Sequence, residues 1–187
     1  VEEDVATLRR LVGEFGEFAR LPVATLEDAD LGRFVEGALR GLSLEALLPE
    51  DSTVAKVIPA LVLEVDEEPM PVEIDAQMFR RALDNLVRNA VHAVAAVGPE
   101  GGGCVIVAAR NEGATAVIEV RDDGPGVDKS ARARVFDPYF TTKSEGTGLG
   151  LAIVKKVVLE HGGSIECGEA AEGGACFRIR LPTRGGK

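Results

Sequence analysis

Histidine is nearly missing from this chain: His92 and His161 are the only two among its 187 residues. Cysteine is scarce as well, at positions 104, 167 and 176. That spacing fits no zinc pattern, and an odd count argues against a disulfide framework. Buried, reduced thiols on strands are expected instead. Positive charge is in short supply: 21 Lys and Arg face 31 Asp and Glu, for a net charge of −10. A general nucleic-acid binder needs the opposite balance to displace counterions from phosphates. An acidic chain can still hold a polyphosphate, given local backbone amides, a metal or a few placed cations. No unbroken apolar run reaches about 18 residues, so no membrane span is expected. The opening Val1-Glu2-Glu3-Asp4 is acidic and unlike a signal peptide.

What is present is an ordinary globular composition, with 45% hydrophobic and 28% charged residues. Disorder throughout is thereby excluded. A chain of this length buries roughly 70% of its unfolded surface, enough for one real core.

Val1, Val5, Leu8, Val12, Phe15 and Ala19 alternate steps of four and three, an a/d seam that needs a partner helix. Leu21-Pro22 ends that helix. Asp30 is placed to cap a second helix with Phe34, Val35, Ala38, Leu39 and Leu42 on one face. Residues 60–65 and 71–74 read as strands. Asp75 caps a third helix, which Gly98-Pro99 ends. Residues 104–110 and 116–121 form a strand pair around the turn Asn111-Glu112-Gly113. A last helix over 149–160 stops at Gly162-Gly163, followed by strands at 164–167 and 175–181. Residues 183–187 read as a frayed tail. Strands and helices mix without regular alternation, which predicts an α+β fold: a two-layer sandwich with helices on one face of a mixed sheet.

Four motifs carry the chemistry. Asn85 and Asn89 are four apart and share a face of the third helix, with His92 on the same side. Two amide oxygens so placed can hold a Mg²⁺ that also bridges phosphates. Asp122-Asp123-Gly124-Pro125-Gly126 puts a carboxylate at a strand end, where an exocyclic amine can donate to it, beside glycines that admit a flat ligand. Gly146-Thr147-Gly148-Leu149-Gly150-Leu151 opens a helix, whose free N–H groups and dipole favour an anion. It is no Walker loop and a poor dinucleotide fingerprint. Gly173-Gly174-Ala175 leads into the last strand. Alone, the asparagines read rather as solvent-facing or capping residues and the acidic motif as a surface turn, while the last glycine motif reads equally as a site or a hairpin turn.

In this order the motifs resemble the N, G1, F and G2 boxes of the ATP-binding catalytic domain of sensor histidine kinases, of the GHKL (Bergerat) superfamily. The N box is seen in Asn85-Leu86-Val87-Arg88-Asn89-Ala90 and the G1 box in Asp122 to Gly126. The F box is Val135-Phe136-Asp137-Pro138-Tyr139-Phe140-Thr141-Thr142-Lys143, and the G2 box Gly146 to Leu151. The likeness covers about residues 30–182. A weaker one, over Phe15 to Pro22, is to the end of the dimerisation hairpin of nitrogen-regulation-type sensors, so residues 1–22 are taken as a remnant of that hairpin's second helix.

The resemblance implies ATP and Mg²⁺ as ligands. Asp122 would receive the adenine amine, with Gly124 and Gly126 shaping the base site. Asn85 and Asn89 would face metal and phosphates. Gly146, Thr147, Gly148, Leu149, Gly150 and Leu151 would line the phosphates. Thr141, Thr142 and Lys143 would lie on a lid over them, with Lys143 in reach of a phosphate, and His92 would be a further phosphate contact. His161, at a helix end beside Gly162-Gly163, is expected to be structural. The resemblance further implies transfer of the γ-phosphate to a histidine, a homodimeric parent, a response-regulator partner, and a cytoplasmic setting for a parent anchored or not in the inner membrane. Neither His92 nor His161 has the setting of a phosphoacceptor, a helical histidine followed by an acidic residue. The chain is therefore expected to act on a histidine outside it, and not to label itself. Two alternatives stay open: a GHKL ATPase clamp, against which Asn85 stands where such enzymes place a glutamate, and a non-catalytic dimerisation module.

Overall fold

A computed structural model describes residue 16 and residues 23–48, 58–97, 103–142, 146–171 and 173–184. Apart from Gly16, the expected helix over residues 1–22 and its seam lie outside the described residues. The elements, in chain order, are β1 (Glu27–Asp30), α1 (Leu31–Leu39), a 3₁₀ turn (Glu45–Leu47), β2 (Ala60–Val65), β3 (Pro71–Ile74), α2 (Ala76–Val97), β4 (Cys104–Asn111), β5 (Thr115–Asp122), α3 (Gly150–Glu160), β6 (Ser164–Glu169) and β7 (Ala175–Pro182). Among the described residues no helix is long and apolar enough to cross a membrane.

The main sheet has the order β2-β4-β5-β7-β6. Only β2 and β4 run parallel; the other neighbours are antiparallel, so the sheet is mixed. Strand alternation sends one set of side chains to the helices. Val105, Val107, Ala109, Ile118, Val120, Phe177, Ile179 and Leu181 face Phe79, Leu83, Leu86, Val87, Val91, Ile153, Val154 and Val157 in one continuous core. Truncating a residue as buried as Ile118 would cost about 2–5 kcal/mol.

The opposite face carries a ladder of charges. Glu64 accepts from Arg110 and Arg121 at 2.9 Å each, Glu119 sits between Arg121 and Arg178, and Glu166 accepts from Arg180 at 2.6 Å. Glu119 and Arg178 are directly opposite across β5 and β7, so the pair closes without bending either strand. Arg180 first, and Arg178 after it, hold the Glu166 carboxyl below its ordinary range against the opposing effect of burial. The cysteines are free; Cys176 is buried, whereas Cys104 and Cys167 are only half-buried. Burial pushes the Cys167 thiol up to about 11, which keeps it protonated.

The sequence pattern does not show β1, a four-residue acidic strand paired with β3. Its last residue does a second job: Asp30 Oδ1 accepts from Arg33 N–H at 3.0 Å and caps α1 as expected, while Oδ2 accepts from Met70 N–H. Thr183 and Arg184, expected to fray, are tied down. Thr183 N–H donates to the Ala114 carbonyl at 3.0 Å, Arg184 N–H donates to that of Pro71 at 2.8 Å, and the Arg184 side chain pairs with Asp28.

Asp75 starts α2, its carboxylate accepting from Gln77 N–H and Met78 N–H at 3.1 and 3.0 Å. The Met78 bond above all, with those of Thr25 and Gln77 and against the opposing effect of burial, holds its carboxyl below the ordinary carboxylate range. A carboxyl lowered by folding stabilises the fold above its unfolded value, and that contribution disappears as pH falls through the folded value. Asp75→Ala should therefore cost about 1 kcal/mol at pH 7. Asp75→Asn should leave stability at pH 7 nearly unchanged yet shrink the loss seen below about pH 4 in urea melts. Parallel pH profiles for wild type and Asp75→Asn would contradict this.

Candidate active site

Asn85, Asn89 and Ala93 succeed one another at one-turn intervals on α2 and form a row on one face. The two ends of this row touch different loops. At one end, a Cβ added to Gly150 would lie 3.2 Å from Asn85 Oδ1, so the asparagine lies against the first residue of α3. Asn85 Nδ2 donates to the Arg81 carbonyl at 3.0 Å, which turns the amide oxygen away from its own helix and towards α3. At the other end, a Cβ on Gly124 would stand 2.9 Å from the backbone of Ala93 and 2.9 Å from Asp122 Oδ1. Asn89, half-buried, sits between the two contacts. With a rise of about 1.5 Å per residue, the row spans about 12 Å.

Asp122 is the last residue of β5 and is 3% exposed. Its Oδ1 accepts from Gly124 N–H at 3.0 Å and from Ala175 N–H at 3.2 Å. A buried carboxylate is costly unless so bonded. Gly126, at φ +74°, has room for no Cβ without crowding the Gly174 carbonyl at 3.1 Å, and a Cβ on Gly174 would sit 2.1 Å from the Asp122 carbonyl. Gly124 and Gly174 thus bring backbone up to this carboxylate, and Gly126 packs against Gly174. Its neighbour Asp123 is turned away, accepting from Gly103 N–H and Cys104 N–H at 3.0 Å and anchoring β4.

The start of α3 has the opposite character. Leu149 precedes it with no side-chain cap, leaving the first-turn N–H groups pointing outward. The Leu149 side chain is fully buried and Leu151 packs on the core, so the two leucines anchor a loop whose glycines stay near the surface. Gly148 lies on the F-box turn: its carbonyl accepts from Tyr139 N–H at 3.0 Å, and a Cβ would come within 2.5 Å of Tyr139 backbone. Tyr139 itself takes a left-handed φ of 66°. Thr147 Oγ1 accepts from Leu149 N–H at 3.4 Å. Thr141 and Thr142, near the end of the F box, are exposed, and Lys143 lies outside the described residues.

Residues 74–185, more than half of the chain, match the family model described as histidine kinase-, DNA gyrase B- and HSP90-like ATPase. The chain belongs to that family. Its relatives include the nitrogen regulation protein NtrY of Azorhizobium caulinodans, 37% identical over 98% of this chain, and the sensor histidine kinase ZraS of Klebsiella oxytoca, 35% identical over 95%. The chain spans 23% and 36% of their lengths. Among solved structures, the mycobacterial sensor histidine kinase MprB aligns over 86% of this chain and 99% of its own, at 28% identity and a TM-score of 0.66. Full-length ShkA in complex with AMPPNP aligns over 94% of this chain and 36% of its own, at 26% identity and a TM-score of 0.73.

Within this member of the ATPase family, Asn85, Asn89, Gly124, Asp122 and Gly150 are brought together along α2 as the sequence pattern suggests. His92 reaches away from this row. Its Nε2 lies 2.9 Å from the Leu47 carbonyl, which ties this nitrogen to the 3₁₀ turn. Gly174 is the residue that motif reading passed over: alone it resembles any hairpin glycine, and only the β5–β7 pairing puts it against Asp122.

Gly174 and Gly113 make a matched pair, at φ +71° and +76°, but nothing lies within 4 Å of a Cβ on Gly113. Gly113→Ala should cost about 1 kcal/mol for its backbone conformation. Gly174→Ala should cost clearly more, because the loop must also back away from Asp122. Equal midpoints in chemical denaturation of the two variants would contradict the crowding described.

Proposed function

We propose that this domain binds ATP with Mg²⁺ and supplies the γ-phosphoryl group for transfer to a histidine outside the described residues, as the catalytic domain of a two-component sensor histidine kinase. One observation supports this above the others: a single helix, α2, meets the buried Asp122 loop at Ala93 and the uncapped start of α3 at Asn85. A base held at one end and a triphosphate at the other fit that span.

The residues present suit these ligands. Asp122 has one oxygen fixed by backbone N–H groups and is oriented to accept an exocyclic amine, which favours adenine over a base with a carbonyl there. Gly124, Gly126 and Gly174 keep side chains off the base. Asn85 and Asn89 would hold Mg²⁺ through their amide oxygens. When bound, the metal neutralises developing charge on the phosphates. The first-turn amides from Gly150 onward, the loop from Gly146, and Thr147 would position the phosphate oxygens. Thr141, Thr142 and Lys143 belong to the lid, which closes over the triphosphate and excludes water.

Phosphoryl transfer asks the protein mainly for positioning and charge neutralisation. Asn85 fits transfer better than hydrolysis. Its Nδ2 is bonded to the Arg81 carbonyl, and an amide cannot take a proton from water. This weighs against an ATPase clamp. As the motif resemblance implies, the acceptor would be a histidine on a dimeric helical hairpin, with onward transfer to a response regulator in a cytoplasmic setting.

Calorimetry should show ATP binding that requires Mg²⁺. Asp122→Asn should weaken it roughly 10- to 100-fold, the loss of one charge-assisted hydrogen bond. No heat from a folded sample with ATP and Mg²⁺, or unchanged affinity in Asp122→Asn, would overturn the proposal.

A further inference from the structure

The two helices that bear the candidate site also meet at their other ends, far from the cleft. His161 follows α3 and is 4% exposed. Its Nδ1 donates to the Val157 carbonyl at 2.7 Å, and its Nε2 accepts from Asp75 N–H at 2.9 Å. Both ring nitrogens therefore serve backbone, which fixes a neutral imidazole and its tautomer. The Phe79 ring stands edge-on to it, 5.2 Å between centroids. Asp75 in turn caps α2 and accepts from Thr25 N–H at 3.1 Å, so the segment leading into β1 ends on the same junction.

A leucine would fill this buried place with less desolvation cost than an imidazole. What the imidazole adds is direction: its hydrogen bonds are satisfied in one register of α3 against α2 and in no other. The helices run antiparallel. Asn85 meets Gly150 at one end of the shared stretch, and Asp75 meets His161 at the other, about 15 Å away along each helix. Rods fastened at two points cannot pivot; fastened at one, they can. A pivot about Asn85–Gly150 swings the α3 amides relative to Asn89, and a displacement of about 1 Å at such a site costs as much as 100-fold in rate.

We propose that His161 is a positioning residue for nucleotide binding: its bond to Asp75 N–H sets the register of α2 and α3, and through that register the distance between the metal-holding asparagines and the phosphate-binding start of α3. The last part rests on the ATP reading above; the register itself does not.

The test compares His161→Leu, His161→Gln and Ile179→Val, the last a core change on β7 that keeps both His161 hydrogen bonds. The first readout is amide exchange in nucleotide-free protein at Ile153, whose N–H closes the first turn of α3 on the Leu149 carbonyl at 2.9 Å. The second is affinity for Mg²⁺-ATP. His161→Leu should speed exchange at Ile153 and weaken ATP, each roughly tenfold. His161→Gln, which keeps an acceptor for Asp75 N–H, should recover most of both. Ile179→Val should lower the melting temperature and change neither. Unaltered exchange in His161→Leu, no recovery in His161→Gln, or the same pattern in Ile179→Val would overturn the proposal. Should the leucine variant not fold, His161→Asn, too short to reach Asp75, replaces it with the same expectations. A wild-type protein that takes up no ATP would defeat the ATP reading, while exchange at Ile153 would still decide the register.

Discussion

The contact on which everything else depends is the approach of helix α2 to two stretches of bare backbone. Helices ordinarily keep neighbours 8–10 Å away, axis to axis, because side chains intervene. Here Gly124 and Gly150 remove the side chain where α2 passes, and the chain closes to distances that no Cβ would allow at Gly124 and few would at Gly150. One rigid rod thereby sets the spacing between a buried carboxylate and an uncapped helix start. Neither loop needs intrinsic order of its own, because each is measured against the same helix.

The sheet serves this arrangement by having two unlike faces. The helix-facing side is continuous apolar packing, which locates α2 and α3. The other side is covered by paired charges, in which Glu119 is buried between arginines from two strands. Exposed pairs of this kind contribute at most about 1 kcal/mol each. Their alternation in sign nonetheless fixes strand register, since a slip of one residue would turn every arginine into the core. That register places Ala175 N–H on Asp122, so the pattern on the outer face reaches the candidate site.

Much of this was legible in the sequence, for reasons that differ by element. The α2 period and the β5 alternation are long patterns, and Asp30 and Asp75 are caps at fixed offsets, so these elements appear where the spacing predicts them. Strand ends run one or two residues past the expected ones, because pairing continues through residues such as Gly168 and Glu169 that carry no apolar signal. Strand β1 was invisible: Glu27, Asp28 and Asp30 have poor strand propensity, and only pairing with β3 makes a strand of them. His92 lies on the expected helix face, but nothing local to it points to a hydrogen bond with the Leu47 carbonyl, 45 residues away. The Gly173-Gly174 motif leaves site and hairpin turn undecided, because its significance is a distance to Asp122, and distances between remote segments are not written in a local motif.

The account's central claim is that α2 measures out a nucleotide from base to metal. Isotope-labelled protein with ATP and Mn²⁺, a paramagnetic stand-in for Mg²⁺, tests it most directly. The side-chain amide signals of Asn85 and Asn89 should broaden away, while the backbone signals of Gly124 and Gly126 shift on base binding and broaden less. Broadening centred on the Asp122 loop, or shifts confined to residues away from α2, would contradict it.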